Sequence, residues 1–199
     1  MIDDCTAIIL AGGDSQRMGS DKAELKLGEQ TLLQRVAATM RQVFPSVIVS
    51  VRQPRSGIAL PQVCDEPDVG GPLAGVLAAL AAVRTPWIFV VACDMPFVTP
   101  ALVELLGRYR AGYQAVVPVV QGHPQTLAAY YADSCLDAMR AQPAAGANRS
   151  LRAVLGSLQV RYVGEAELVQ ADPGLRSFFD LDTPQDVAVA IRQPLPDSH

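Results

Sequence analysis

The run Cys5-Thr6-Ala7-Ile8-Ile9-Leu10 opens directly into Ala11-Gly12-Gly13-Asp14-Ser15-Gln16-Arg17-Met18-Gly19-Ser20-Asp21-Lys22. A short apolar run of this kind reads as a buried strand, and paired glycines behind it leave backbone N–H groups unshielded for close approach to an anion. Arg17 can fork onto phosphate oxygens, and Lys22 supplies a compact charge. A bare Gly-Gly pair would equally make an ordinary turn with solvated basic residues. Arg17, Gly19 and Lys22 behind the same strand shift the reading to a phosphate-binding loop. It is neither a Walker loop, which needs Gly-Lys-Ser/Thr, nor the Gly-x-Gly-x-x-Gly dinucleotide fingerprint.

Outward from that loop, β-rich apolar runs alternate with helical patterns. Strands are expected over 6–11, 46–51, 62–64, 87–92, 114–119, 126–131 and 158–162, and helices over 31–43, 73–83, 100–109, 134–141, 150–155 and 184–192. Near-continuous hydrophobic strands belong to sheets covered on both faces. Alternating β and α elements predict an α/β fold with a mostly parallel sheet. Pro45 closes the first helix by disfavouring helical backbone at the residue before it. Thr99-Pro100 and Thr183-Pro184 each read as an N-cap followed by proline at the first helical position. With no repeat or break in composition, residues 1–193 are expected to form one domain and 194–199, with two prolines, a disordered tail.

The 199 residues are 50% hydrophobic and 18% charged with a net charge of −4, which suits a core that needs no staples. Without a basic patch or aromatic-basic interleaving, nucleic-acid polymers drop out as a partner class. Cys5, Cys64, Cys93 and Cys135 form no Cys-x-x-Cys pair and make no zinc spacing with His123 or His199. They read as reduced thiols, implying a cytoplasmic setting. The start Met1-Ile2-Asp3-Asp4 lacks the basic segment of a secretory signal, and the Ala-rich stretch 73–83 is too short to span a bilayer. No membrane association is expected.

Ligands of open parallel sheets bind outside the carboxyl ends of the strands. Besides the glycine loop, two segments share that address: Asp65-Glu66-Pro67-Asp68-Val69-Gly70-Gly71-Pro72-Leu73-Ala74-Gly75 and Cys93-Asp94-Met95-Pro96. A carboxylate at the tip of a buried strand is badly desolvated unless a cation meets it. Asp94 is therefore a candidate Mg²⁺ ligand, or else a cap of the turn before Pro96. Asp65 could accept from the N1–H and N2–H₂ donors of guanine, or serve only as a turn former. The run 70–75 lets backbone approach a ring or ribose, or simply starts a helix at Pro72.

The set Leu10-Ala11-Gly12-Gly13, Arg17-Met18-Gly19 and Asp21-Lys22 resembles the nucleotidyltransferase family that activates sugar phosphates and related phosphate esters. Gly71-Pro72-Leu73-Ala74-Gly75, Cys93-Asp94-Met95-Pro96, His123-Pro124, Gly146-Ala147-Asn148-Arg149-Ser150-Leu151 and Thr183-Pro184-Gln185-Asp186 look most like its molybdenum cofactor guanylyltransferase branch. The resemblance runs from about residue 7 to 189. It implies a Rossmann-like three-layer sandwich that uses Mg²⁺ and GTP. The implied acceptor is molybdenum-bound molybdopterin, giving molybdopterin guanine dinucleotide and pyrophosphate. Molybdenum-insertion and molybdoenzyme chaperone proteins are the implied protein partners.

By position, the resemblance places the backbone of Leu10, Ala11 and Gly12 at the base and Gly13 to Arg17 at the phosphates. It further gives Lys22 to phosphate, Asp65 and Gly71 to the nucleoside, and Asp94 to the metal and nucleotide. Arg17, Lys22 and Asp94 are the implied catalytic set, while His123, Asn148, Arg149 and Asp182 fall on the pterin side. Asn148 and Arg149 read equally as an ordinary helix start.

Two positions depart from the branch. Ser50, counted with the GTP site, stands where it usually has Asn, and Asp180-Leu181-Asp182 stands where Asn-x-Asn is common. A carboxylate cannot donate as an amide can, though Asp182 could instead help hold the metal. The alternatives are a CTP-dependent sibling, whose loop reads Leu-Ala-Ala-Gly and whose later motif reads Asp-Gln-Pro, and a non-catalytic GTP-binding module of molybdoenzyme maturation.

Overall fold

A computed structural model describes residues 1–12, 22–67, 69–141, 150–181 and 186, with the side chain of Lys22 left out. Its strands are β1 (Cys5–Leu10), β2 (Lys26–Leu27), β3 (Gln30–Thr31), β4 (Ser46–Val51), β5 (Gln62–Cys64), β6 (Trp87–Ala92), β7 (Ala115–Val120), β8 (His123–Pro124), β9 (Ala128–Ala132) and β10 (Val160–Val163). Its helices are α1 (Leu32–Val43), α2 (Pro72–Ala82), α3 (Pro100–Gly107), α4 (Cys135–Arg140), α5 (Leu151–Val154) and α6 (Glu165–Leu168). The main sheet has the order β10-β7-β9-β6-β1-β4-β5, with β8 hydrogen-bonded to β7. β6, β1, β4 and β5 run parallel, whereas β9 is antiparallel to both β6 and β7. The mostly parallel, two-face-covered sandwich expected from the sequence is present, with one antiparallel strand inserted into it.

Alternation along the strands divides the core between the two faces, as a two-residue period requires. Cys5, Ala7, Ile9, Phe89 and Val91 pack with residues of α1 and α3, whereas Ile8, Ile88 and Val90 pack with residues of α2, α4 and α5. On α1, Leu33, Val36, Ala37, Met40 and Val43 make one buried stripe at helical spacing. Its N-terminus is closed by a capping box between Thr31 and Gln34, each side chain meeting the other's backbone N–H. At the other end Phe44, ahead of Pro45, is already extended (φ −120°, ψ 140°). Thr99 caps α3 by accepting from the Leu102 N–H at 3.2 Å.

α2 is buried continuously from Leu73 to Leu80, which accounts for the Ala-rich stretch as a core helix. Among the described residues no helix is long and apolar enough to cross a membrane. All four cysteines are free thiols; Cys5, Cys93 and Cys135 are buried and Cys64 is exposed. Burial pushes the Cys135 thiol up to about 12 and the Cys5 thiol higher still, so both stay protonated at neutral pH. Apart from residue 186, the expected helix over 184–192 lies outside the described residues, as does the tail 194–199.

Candidate functional site

β1 is the branch point of the topology. The chain leaves it through α1 to β4 on one side and later returns through α2 to β6 on the other. Such a reversal opens a crevice beyond the strand ends. Register pairs Leu10 with Ser50 and with Ala92, and Val51 with Cys64, so the four strand ends lie on one edge. The ladder runs one residue further. The Ala11 N–H donates to the Ser50 carbonyl (2.9 Å), Cys93 N–H to Leu10 (3.1 Å) and Asp65 N–H to Val51 (2.9 Å). The backbone of Leu10, Ser50 and Asp65 is thereby tied into the sheet, and Gly12 and Asp94 follow one residue beyond the last of these bonds.

A cleft of about 690 Å³ occupies this edge, lined by Leu10, Ala11, Gly12, Ser50, Asp65, Gly71 and Asp94 among others. Every nucleotide-side residue singled out from the sequence that falls among the described side chains therefore lines one cavity. Gly13, Arg17, Asn148, Arg149 and Asp182 lie outside the described residues; Lys22 begins a 3-10 turn, Lys22–Glu24, that follows the glycine loop.

The cleft floor is close-packed around Asp65. The Ser50 hydroxyl, 1% exposed, donates to Asp65 Oδ1 at 2.5 Å, within the range of charge-assisted hydrogen bonds. A methyl group on Gly12 would lie 2.6 Å from Asp65 Oδ2, and one on Gly75 would lie 2.5 Å from Ser50 Oγ. A side chain at either place would force Asp65, or Ser50 and Leu10, to shift. Gly71, at φ +67°, occupies left-handed backbone as the N-cap of α2, and Pro72 follows as the first helical residue.

A second cavity of about 320 Å³ shares Ala92, Asp94 and Leu127 with the first and is closed by Met95, Pro124, Gln125, Thr126 and Asp180. Asp94 thus stands on the wall common to both. Its backbone carbonyl accepts from Leu181 N–H at 3.0 Å, which ties the C-terminal segment to the Asp94 loop. Leu181 is fully buried with Leu27, Leu32 and Phe97. His123 is exposed on β8, one residue from the cavity wall, with Nδ1 3.3 Å from an Arg152 guanidinium nitrogen. The turn before it, Gln121 and Gly122, has positive φ at both positions (50° and 74°), the geometry that a tight hairpin requires.

Arg52, Gln125, Thr126, Asp180 and Arg152 are site residues or neighbours of the site that the motif reading did not select. Arg52 lines the first cavity with its stem against Gly12. Its address, two residues beyond Ser50 on the same strand end, was the available signal. Asp180 belongs to the Asp180-Leu181-Asp182 departure noted above, and nothing local in the sequence marks Gln125, Thr126 or Arg152.

Among the described residues no three of His, Cys, Asp and Glu converge on one point, so they form no protein-only cation cage. One carboxylate beside a cleft that admits phosphate oxygens suits Mg²⁺, which completes its shell with substrate phosphates and water.

The profile of the MobA-like NTP transferase domain matches residues 7–162. A probable molybdenum cofactor guanylyltransferase of Pelotomaculum thermopropionicum is 36% identical over 195 residues, covering 93% of this chain and 91% of that protein. The molybdenum cofactor guanylyltransferase of Desulfosudis oleivorans is 31% identical over 193 residues, covering 95% of each. The crystal structure of molybdopterin-guanine dinucleotide biosynthesis protein A from Archaeoglobus fulgidus superposes with a TM-score of 0.81 at 29% identity, over 93% of this chain and 96% of that one. Strand-end carboxylates on one crevice, a glycine-floored cleft and sequence likeness along nearly the whole chain lead to one conclusion: the chain belongs to the MobA-like NTP transferase family.

Proposed function

We propose that the chain transfers GMP from GTP to the terminal phosphate of molybdenum-bound molybdopterin, forming molybdopterin guanine dinucleotide and releasing pyrophosphate. The observation that carries this reading is the position of Asp94 on the wall shared by two contiguous cavities of about 690 and 320 Å³. The names of the relatives supply the substrates.

Chemistry at the base end favours guanine over cytosine. Asp65 presents acceptors, which suit the adjacent N1–H and N2–H₂ donors of guanine. Cytosine offers one amino group beside an acceptor nitrogen that a carboxylate would repel. This separates the proposal from the CTP-dependent alternative.

In the reaction, an oxygen of the acceptor's phosphate attacks the α-phosphorus of GTP, and the bond from that phosphorus to the bridging oxygen of pyrophosphate breaks. A phosphate monoester is largely dianionic at neutral pH, its second pKa being about 6, so no general base is needed. His123 accordingly receives no proton-transfer role. The residues' task is alignment and charge neutralisation. Asp94 would hold Mg²⁺, whose charge screens the phosphate oxygens when it is bound. Lys22 and Arg17, by their place in the motif, bind the phosphate chain. Gln125, Thr126 and Asp180, with His123 beside them, form the acceptor side. Asn148, Arg149 and Asp182 remain assigned to that side through the family motif alone. The four free thiols support a reducing, cytoplasmic setting, where insertion and chaperone proteins would receive the product.

Incubation of the protein with each of the four nucleoside triphosphates, Mg²⁺ and molybdopterin, followed by mass analysis, tests the reading. GTP should give the guanine dinucleotide and pyrophosphate. Product from CTP alone would assign the sibling activity, and GTP binding without any product would assign a binding module.

A further inference from the structure

We infer that Ser50 is a positioning residue that selects the 2-amino-6-oxopurine ring by orienting Asp65. The inference rests on the proposed use of GTP and identifies what within the cleft reads the purine.

The carboxylate of Asp65 is constrained at both ends. Its root is fixed by the sheet, through Asp65 N–H to the Val51 carbonyl at 2.9 Å. Its orientation is set by the Ser50 hydroxyl, 2.5 Å from Oδ1. Ser50 itself is held in the sheet: it is paired with Leu10 in the β1–β4 ladder, its carbonyl accepts from Ala11 N–H, and it is 1% exposed. Gly75 leaves the space that the hydroxyl occupies, since a methyl there would sit 2.5 Å from Ser50 Oγ and 3.2 Å from Asp65 Oδ1. The second oxygen, Oδ2, is directed over Gly12, where a methyl would lie at 2.6 Å.

A serine hydroxyl has a single proton, and here it is donated to Asp65. Towards a ligand Ser50 can therefore only accept, so it does not replace the donating amide that the family commonly has at this place. It acts through its neighbour. With Oδ1 held by Ser50, the carboxylate plane is preset to take both the ring N–H and the exocyclic amine of guanine. Hypoxanthine retains the ring N–H but lacks the amine, so it gains less from a fixed plane. Ser50 should consequently govern the preference for GTP over ITP.

Calorimetric binding of GTP and of ITP in the presence of Mg²⁺, with wild type, Ser50→Ala and Ser50→Thr, tests this. The wild type should favour GTP, and Ser50→Ala should cut that preference about tenfold, as expected for loss of a hydrogen bond to a charged group. Ser50→Thr keeps the hydroxyl and should keep the preference. An unchanged GTP/ITP ratio in Ser50→Ala overturns the assignment. Equal loss in both variants also overturns it, because the effect would then come from packing. A wild type that binds CTP or ATP in preference to GTP refutes the underlying reading of the substrate, and this inference with it, without recourse to any variant.

Discussion

The two cavities that meet at Asp94 are built differently. The larger one rests on consecutive parallel strand ends, with Leu10, Ser50 and Ala92 in register and Asp65 one residue beyond β5. The smaller is assembled from the β8–β9 connection, the Asp94 loop and a C-terminal segment held by Leu181. In the first, Ser50 and Asp65 are fixed by the sheet and floored by Gly12 and Gly75. In the second, elements distant in sequence supply one wall each. On the proposed division of roles, a nucleotide would be gripped by a preformed surface, and the acceptor would be met by side chains whose placement depends on several long-range contacts.

Substitutions can break or sharpen that contrast. The largest effect should come from Asp94→Asn, which touches both cavities. Loss of a preorganised charge-stabilising group commonly costs on the order of 10²–10³ in rate, read as pyrophosphate release at graded Mg²⁺. Near-normal turnover would remove Asp94 from its central place. Next, Gly75→Ala should act on the first cavity alone, because its methyl meets Ser50 Oγ at 2.5 Å and Leu10 Cδ2 at 2.9 Å. Overpacking of about 1–3 kcal/mol should weaken GTP binding roughly tenfold and lower Tm, whereas unaltered GTP affinity would detach the Ser50–Asp65 floor from the site.

The second cavity should respond more mildly. Gln125→Ala is expected to raise the KM for the acceptor about three- to tenfold, the range of one neutral hydrogen bond, and to spare the KM for GTP. A matching rise in both would contradict the division of roles. Smallest of all, Arg152→Ala removes an exposed partner of His123 and should shift acceptor KM by about twofold or less. A tenfold change in steady-state assays would move Arg152 into direct contact with substrate.

The same contrast decides what could be read from the sequence. β4, β5 and β6 have the expected bounds and β1 differs by one residue, because continuous apolar runs with clear breaks leave little freedom. Thr31, expected inside the first helix, is instead its N-cap, whereas Pro45, Pro72 and Thr99 mark helix ends through local chemistry, so those ends are legible too. The β2–β3 hairpin was not, since two-residue strands around Gly28 have no period to detect. Nor was the direction of β9. Its apolar run fits either orientation, and only pairing with β6 and β7 makes it antiparallel.

Site residues divide likewise. Gly12, Asp65, Gly71 and Asp94 sit in short motifs behind strands, and all of them line the first cavity. Gln125, Thr126 and Asp180 reach the second cavity only through tertiary packing, the last by way of the Leu181–Asp94 backbone bond. Ser50 is an instructive intermediate. Its place at a strand end was visible, but its action on Asp65 depends on the 15-residue gap that β5 closes.

A crystal structure with GTP and Mg²⁺ tests the central claim most directly. The account predicts the guanine donor edge on Asp65, the triphosphate running past the glycine loop towards Asp94, and the α-phosphorus open to the smaller cavity. A purine bound away from Asp65, or a triphosphate that never approaches Asp94, would contradict it.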